Sequence, residues 1–420
     1  MKHTDDRDGL KEEGVPKRLL SYKEALEALL PQVPSPVSIQ TPLLSSLGRI
    51  LANSVSADRD LPPFDKSFMD GFAVRSQDVV AAPVRLKVVG IVAAGTSSLP
   101  TIGAGEAAQI MTGAPMPPGA DAVQMVEKTR AVEGAFVELT ESVRPGQNVS
   151  FRGTEMKCGD TVLPAGRSVN AADIGVLATF GKTEVDVLNT PKAVIVSTGD
   201  ELVAVDQRPS FGQIRNSNGP MLWALCQELG VEAEIFPSVR DNPEEIAAAI
   251  DKALESDLVL LSGGVSMGEY DYVYRVLVER GVDLLFHKVA VKPGKPICVG
   301  RKGTCMVFGL PGNPVSAFVT FQLFVRPSVR QWMGCGSGSL PQIEATLLKN
   351  VKQKPGRTFF KPARTLWQGG GFEVEPVETK GSADLAGFCN ANSLLIMDAD
   401  CTFLAQGSSV SVLLLEGWMG

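Results

Sequence analysis

The sequence predicts an α/β protein that carries accessory β modules, and three observations predict it. Over residues 186–330, apolar strands alternate with amphipathic helices, the pattern of a parallel, doubly wound sheet. Over 49–149, short apolar runs such as LKVVGIVAAG and AFVELTESV are separated by Gly and Pro, as in a β-rich module. From 331 to 420, strands and Gly-rich turns return and read as a small, barrel-like β-domain. At 420 residues the chain exceeds the roughly 250–300 that one core supports, so several domains are expected.

Taken in order, residues 1–18 mix both signs of charge around no apolar core and read as a solvated arm, not a signal peptide. Residues 19–48 open with a helix that Ser21 caps, carrying Ala25, Leu26, Leu29 and Leu30, and continue into a Pro-broken stretch. Together with 150–185, where NAADIGVLATFG is a short helix ending at Gly181, they form a discontinuous linker domain into which 49–149 is inserted. In 186–330, AVIVS (193–197) is a strand, PMLWALCQELG a helix stopped by Gly230, and VEAEIF a strand. Asn242 caps the next helix, with Pro243 at its first position, Glu244 and Glu245 in its first turn, and Ile246, Ile250 and Leu254 on one face. DLVLLSGG is a buried strand, YDYVYRVLVERG a helix, and DLLFHKVAV and TCMVFGL strands; a last helix has Asn313 as N-cap and Pro314 at its first position.

Composition excludes several functions. A net charge of -7 argues against general nucleic-acid binding, which needs a basic face, and leaves room for a local basic pocket. No apolar run approaches the ~18 residues that cross a bilayer. The seven cysteines are scattered, and none is spaced as C-x-x-C. Cys226, Cys298 and Cys305 sit among apolar neighbours and read as small buried hydrophobes, so a reducing cytoplasm is expected. Only His3 and His287 are present, which excludes a His-based triad or a His-ligated zinc site. Acid–base or metal chemistry falls to carboxylates, lysines and hydroxyls.

In a doubly wound sheet, ligands bind beyond the carboxyl ends of the strands, where the strand order reverses. Three strands here end in unusual loops: STGDEL (197–202), SGGVSMGEYD (262–271) and GLPGNPVS (309–316). One such Gly-rich loop is an ordinary connector. Three on one edge, carrying Asp200, Glu201, Glu269 and Asp271, mark a site. Gly263 and Gly264 let backbone N–H groups approach a ligand, and the helix start after Asn313 favours an anion.

The stretch HKVAVKPGKPICVGRK (287–302) holds five basic residues (Lys288, Lys292, Lys295, Arg301, Lys302) and no acidic one. Strand alternation would put Lys288 and Lys292 on one face, with Lys295 presented by the Pro293-Gly294 turn. An edge strand with solvated lysines explains the charges but not the rigid turn. A phosphate or oxyanion pocket explains both. In LPPFDKSFMDGFAV (61–74), Asp70-Gly71 suits a tight turn, where an Asp often only bonds its own backbone, so structural and functional roles weigh evenly. Asp241, ahead of the capping Asn242, has the same standing.

Taken in order, PPFDKSFMDGFAV, MTGAPMPPGADAV, FRGTEMKCGD, VSTGDELV, GQIRNSNGPML, SGGVSMGEYDYV, VAVKPGKPICVG and GLPGNPVSAFVTFQLFVRP resemble the molybdopterin molybdenumtransferase family, which includes bacterial MoeA and the gephyrin E domain. The resemblance runs from about residue 19 to the end. It implies an elongated, multidomain protomer in a cytoplasmic homodimer, with adenylyl-molybdopterin and molybdate converted to molybdenum cofactor and AMP by a Mg2+-dependent reaction. It implies Asp70, Glu201, Asp241 and Asp271 as the functional acids, with Glu201 and Asp271 at the metal. Lys288, Lys292 and Lys295 correspond to anion-binding lysines, and Ser316, Arg357 and Ser382 to further oxyanion contacts. It also implies that Asp70 of one protomer meets Lys292 of the other. Two departures stand out: Lys66 replaces a common Asn, and Gly153-Thr154-Glu155 replaces Gly-Glu-Asp, which leaves the acid there open.

The chemistry suits the residues. The substrates are polyanionic, so lysines, backbone N–H groups and magnesium on carboxylates would screen them. The soft ligands of molybdenum are the substrate's own dithiolene sulfurs, in keeping with so little histidine. The related molybdopterin adenylyltransferase, an expected partner, is a rival reading, but it usually stands as the α/β domain alone, without a KPGKP segment. A non-catalytic scaffold of the gephyrin type is a second, and no long linker or fused domain in the sequence favours it.

Overall fold

Strands built of Val, Ile and Leu without polar interruption persist where both faces of a sheet are covered. The computed structural model describes residues 18–264, 272–336 and 338–415. In it the α/β region runs β1 (Ala193–Ser197), α1 (Asn218–Glu228), β2 (Ala233–Ile235), α2 (Pro243–Ala253), β3 (Leu258–Ser262), α3 (Tyr272–Glu279) and β4 (Asp283–His287). It continues through β5 (Val291–Lys292), β6 (Cys298–Lys302), β7 (Cys305–Leu310) and α4 (Pro314–Thr320). The six-stranded sheet has the order β2-β1-β3-β7-β6-β4. Alternate residues feed opposite cores: Ile195, Leu260 and Phe308 pack with α1 on one face, and Val196, Val259 and Val307 pack with α2 and α3 on the other. Because β2 and β3 flank β1, the strand order reverses between β1 and β3, which parts the loops that leave them.

Two expectations need correction. The sheet is not parallel throughout, since β2, β1, β3 and β7 run parallel while β6 is antiparallel to both β7 and β4. The physical cause is the link between β6 and β7, only Gly303 and Thr304, which is long enough to reverse a strand and too short to cross over. Nor is DLLFHKVAV one strand. Lys288 has a φ of 74°, outside the extended region, and its N–H donates to Ile297 O at 2.8 Å. Lys288 and Lys292 therefore share no strand face, and the alternation that would align them does not apply.

Capping follows the sequence. Asn242 accepts from Glu244 N and Glu245 N at 2.9 and 3.1 Å, and Ser21 and Glu24 form a reciprocal capping box around helix Tyr22–Leu29. Cys226, Cys298 and Cys305 are buried, and burial pushes the Cys226 and Cys305 thiols up to about 12. After α4, strands β8 (Gln342–Leu347), β9 (Thr358–Gln368), β10 (Gly371–Pro376), β11 (Ser393–Met397) and β12 (Ser409–Leu414) close into a five-stranded barrel, because β9 pairs with both β10 and β11. β5 joins that barrel, pairing in parallel with β9.

The chain divides into two compact units, one of residues up to Ile39, Gly48–Ile50 and Val187 onward, the other of Gln40–Leu47 and Leu51–Asp186. The first holds the sheet and barrel described above. The second contains a six-stranded sheet of Ala122–Met125, Gly71–Val74, Glu106–Ile110, Val84–Val92, Phe136–Leu139 and Thr129–Val132, in that spatial order. Both of its faces are covered, by a core around Ala73 and Ile110 and another around Val74 and Leu139. Among the described residues no helix is long and apolar enough to cross a membrane.

Candidate functional site

A cleft of about 1170 Å³ lies within the first unit, between the carboxyl edge of the sheet and the barrel. Sequence fixes its floor. Thr198 and Gly199 follow β1, Gly263 and Gly264 follow β3, and Gly312 and Asn313 follow β7, and all six line it. Gly263 has a φ of 99° and Gly264 of 64°, and a Cβ on Gly264 would come 2.7 Å from Val273 and 3.1 Å from Thr198 Oγ1. Only glycine lets the two loops approach so closely. Asn218 Nδ2 donates to Ser262 Oγ at 2.8 Å and to Gly312 O at 2.7 Å, which ties the ends of β3 and β7 to the start of α1. Asn313 holds the N-cap position of α4, yet its Nδ2 donates to Ser382 Oγ at 3.0 Å instead of capping the helix. That bond joins the α/β region to the loop ahead of β11.

The charges in this cleft are sorted by element. Lys292 on β5, Lys295 on the turn after it, and Lys352, Arg357 and Lys361 on the barrel side supply cations. Glu201, after β1, and Asp241, ahead of α2, supply carboxylates. Lys292 is held below the ordinary lysine value, first by burial and then by repulsion from Arg357, Lys361 and Lys354. Among the described residues none of these lysines or Arg357 pairs with a carboxylate, and Lys292 Nζ instead sits 4.3 Å from the centroid of the Phe359 ring. Asp241 is held above the usual carboxylate range, first by burial and then by the charges of Asp200 and Glu201, while its own N–H donates to Asp200 Oδ1 at 3.2 Å. The described lining of the barrel side holds no carboxylate, whereas the side of Glu201 also carries Arg215, whose Nε donates to Gln207 O at 3.0 Å.

The cleft brings together Glu201, Asp241, Gly263, Gly264, Lys292, Lys295, Asn313, Ser316, Arg357 and Ser382 from those expected at a site. Lys288 is not among its lining residues. Asp271, like Glu269, lies outside the described residues. Asp70 belongs to the second unit. There its Oδ1 accepts from Thr112 N at 2.7 Å and Thr112 Oγ1 at 3.0 Å, which holds the carboxyl below the usual range. Its partner lies on a distant loop, not on its own backbone. Gly71 forms no tight turn; it opens strand Gly71–Val74, where an added Cβ would collide with Gln124 O. The two departures found in the sequence meet each other, with Lys66 Nζ 3.6 Å from Glu155 Oε1.

Sequence reasoning missed Thr198, Asn216, Asn218, Lys352 and Lys361. The two lysines had a signal. Residues 345–372 hold six basic residues (Lys349, Lys352, Lys354, Arg357, Lys361, Arg364) and no acidic one, the same inversion seen at 287–302.

Comparison with known proteins accounts for this arrangement. Residues 20–181 match the family pattern described as MoeA N-terminal region (domain I and II), 194–331 that of a probable molybdopterin binding domain, and 344–415 that of MoeA C-terminal region (domain IV). The chain is 36% identical over 403 residues to the molybdopterin molybdenumtransferase of Staphylococcus aureus, covering 94% of this chain and 96% of that one. Identity to the Staphylococcus epidermidis enzyme of the same name is also 36% over 403 residues, with the same coverage of 94% and 96%. The crystal structure of the molybdopterin biosynthesis MoeA protein from Pyrococcus horikosii superposes with a TM-score of 0.82 at 32% identity, covering 96% of this chain and 100% of that chain. The cleft and the cations around it therefore sit on a shared architecture, and the chain belongs to the molybdopterin molybdenumtransferase family.

Proposed function

We propose that the protein inserts molybdate into adenylyl-molybdopterin and releases AMP, in a reaction that depends on Mg2+. Family membership makes it an enzyme of molybdenum cofactor biosynthesis, a molybdopterin molybdenumtransferase. The finer chemistry is supported by one observation above all: a cluster of cations that, among the described residues, has no carboxylate partner faces a cleft of ligand size in a chain of net charge -7. Crowded like charges are unfavourable until an anion arrives, and a dianion such as molybdate, or a phosphate, relieves them. Lys292, Lys295 and Arg357 meet the oxyanion, and Ser316, Ser382 and Asn313 offer hydrogen bonds beside it. Gly263 and Gly264 leave room for the substrate against the sheet edge.

Magnesium fits the acidic wall. Carboxylate oxygens are the hard donors it prefers, and it commonly takes one or two of them, with substrate phosphates and waters completing its shell. Asp241, whose carboxyl is raised first by burial and then by the charges of Asp200 and Glu201, lines that wall beside Glu201. Among the described residues no group of three or more His, Cys, Asp or Glu is arranged to hold a metal by itself. Glu201, together with Asp271, would hold the ion, which would offset the negative charge of the pyrophosphate. Asp241, which lines the same cleft, would orient the adenylyl group.

We further propose a cytoplasmic homodimer in which Asp70 of one protomer serves the cleft of the other, fed by the molybdopterin adenylyltransferase. The chemistry is tested by mixing purified protein with adenylyl-molybdopterin and following AMP. Release that requires both molybdate and magnesium is expected. ATP consumption without molybdate would instead identify an adenylyltransferase.

A further inference from the structure

A lysine in a cleft ordinarily rests on a carboxylate, and Lys292 rests on a ring. Its Nζ lies 4.3 Å from the Phe359 centroid, and Lys361 Nζ lies 5.9 Å from the same ring. The backbone sets this up. Where β5 joins β9, the register puts Lys292 opposite Phe359 and Val291 opposite Thr358. Alternation along β9 then separates two aromatic neighbours. Phe360 is fully buried and meets Tyr22 edge-to-face at 5.1 Å, while Phe359 is half-buried and lines the cleft together with Arg357 and Lys361.

A carboxylate and a ring both attract an ammonium, but with different consequences. A carboxylate neutralises the charge and competes with any incoming anion. An aromatic face attracts through its quadrupole, carries no net charge, and leaves the ammonium's outward donors free. The groups bearing on Lys292 from the barrel side are Arg357, Lys361 and Lys354, all cations, and its own turn adds Lys295. Among the described residues of one chain, no carboxylate rests on that ammonium, and the ring is its attractive neighbour.

We propose that Phe359 is a positioning residue that holds the Lys292 ammonium against the barrel in its charged form, so that its outward donors meet the oxyanion. This deepens the function proposed above and depends on Lys292 being the cation that meets molybdate. Replacing the ring removes an attraction that only the charged form feels. The ammonium then gives up its proton at lower pH, on top of the shift already imposed by burial and its cationic neighbours.

The test is titration with inorganic molybdate across pH, using wild type, Phe359→Leu, Phe359→Tyr and Lys292→Ala. Phe359→Leu keeps apolar bulk and should weaken molybdate binding by about threefold or more. Its loss of binding on the alkaline side should move to lower pH, and Phe359→Tyr should restore both. A mere packing defect would lower affinity equally at every pH and leave that alkaline limb in place, which would overturn the proposal. So would wild-type binding in Phe359→Leu, or equal losses in the leucine and tyrosine variants. Undiminished binding in Lys292→Ala would remove the functional reading underneath. Loss in Lys292→Ala with none in Phe359→Leu would remove the role of the ring alone.

Discussion

Replacing Lys292 with Met should weaken ligand binding and strengthen the fold, and these opposite signs are diagnostic. Methionine keeps an apolar stem against Phe359 and removes the charge. In the free protein that charge is disfavoured by burial and by Arg357, Lys361 and Lys354, so its removal should raise stability. The gain should stay under about 1 kcal/mol, because the group is half-exposed and water screens the repulsion. A lysine whose folded value lies below its unfolded value costs stability only while it is charged. The gain should therefore be present at neutral pH and disappear as pH rises past the ordinary value of 10.5. Binding moves the other way. A charge-assisted contact in a partly dry cleft is worth on the order of 1–3 kcal/mol, so molybdate or substrate affinity should fall roughly tenfold to a hundredfold. Thermal unfolding at pH 7 and above pH 10.5, with molybdate titration alongside, measures both arms. A variant that is less stable and binds molybdate as the wild type does would refute the reasoning.

Four further outcomes follow from the cleft and the second unit. Glu201→Gln and Asp271→Asn should each slow AMP release and recover partly at higher magnesium, and normal turnover of both at low magnesium would make these acids structural. Asp241→Asn should raise stability at neutral pH by less than about 1 kcal/mol, given the exposure of the group, while lowering activity. Because the folded Asp241 value is raised, that gain should vanish below the ordinary aspartate value of 3.8; a loss of stability at pH 7 would contradict the repulsion assigned to Asp200 and Glu201. The Lys66–Glu155 pair is partly exposed, so a double-mutant cycle should give a coupling of about 0–1 kcal/mol, and a larger value would mean the pair organises the surrounding loops. Co-expressed Asp70→Ala and Lys292→Ala chains, each inactive alone, should return about a quarter of wild-type activity if a two-fold dimer shares its sites; no recovery in demonstrated mixed dimers would exclude the shared site.

Legibility in the sequence mostly tracked how local the cause was. The strands AVIVS and DLVLLS and the helix after Asn242 were readable because apolar continuity and a capping side chain act within a few residues. The hairpin of β6 and β7 was missed although its cause is local, since the two-residue link Gly303-Thr304 can only reverse the strand. Lys288 misled for a different reason, since a lysine gives no warning of a positive φ. In the site, Lys292 and Lys295 stood out through local charge inversion. Lys352 and Lys361 carried the same signal farther along the chain, in a segment whose place beside the cleft depends on β5 joining β9. Thr198 and Asn218 lay inside segments that stood out, STGDEL and GQIRNSNGPML, but nothing in those segments singled out these two side chains. Their roles arise from loops that meet only when three strands end side by side.

In the function proposed, the cleft between the sheet edge and the barrel receives the oxyanion on Lys292, Lys295 and Arg357. The most direct measurement is a crystal structure of the protein with adenylyl-molybdopterin and molybdate bound. The molybdenum oxyanion should lie within hydrogen-bond reach of those three side chains, with the adenylyl phosphate on the side of Glu201. Molybdate held elsewhere, with these cations turned to solvent and free of any anion, would contradict that function.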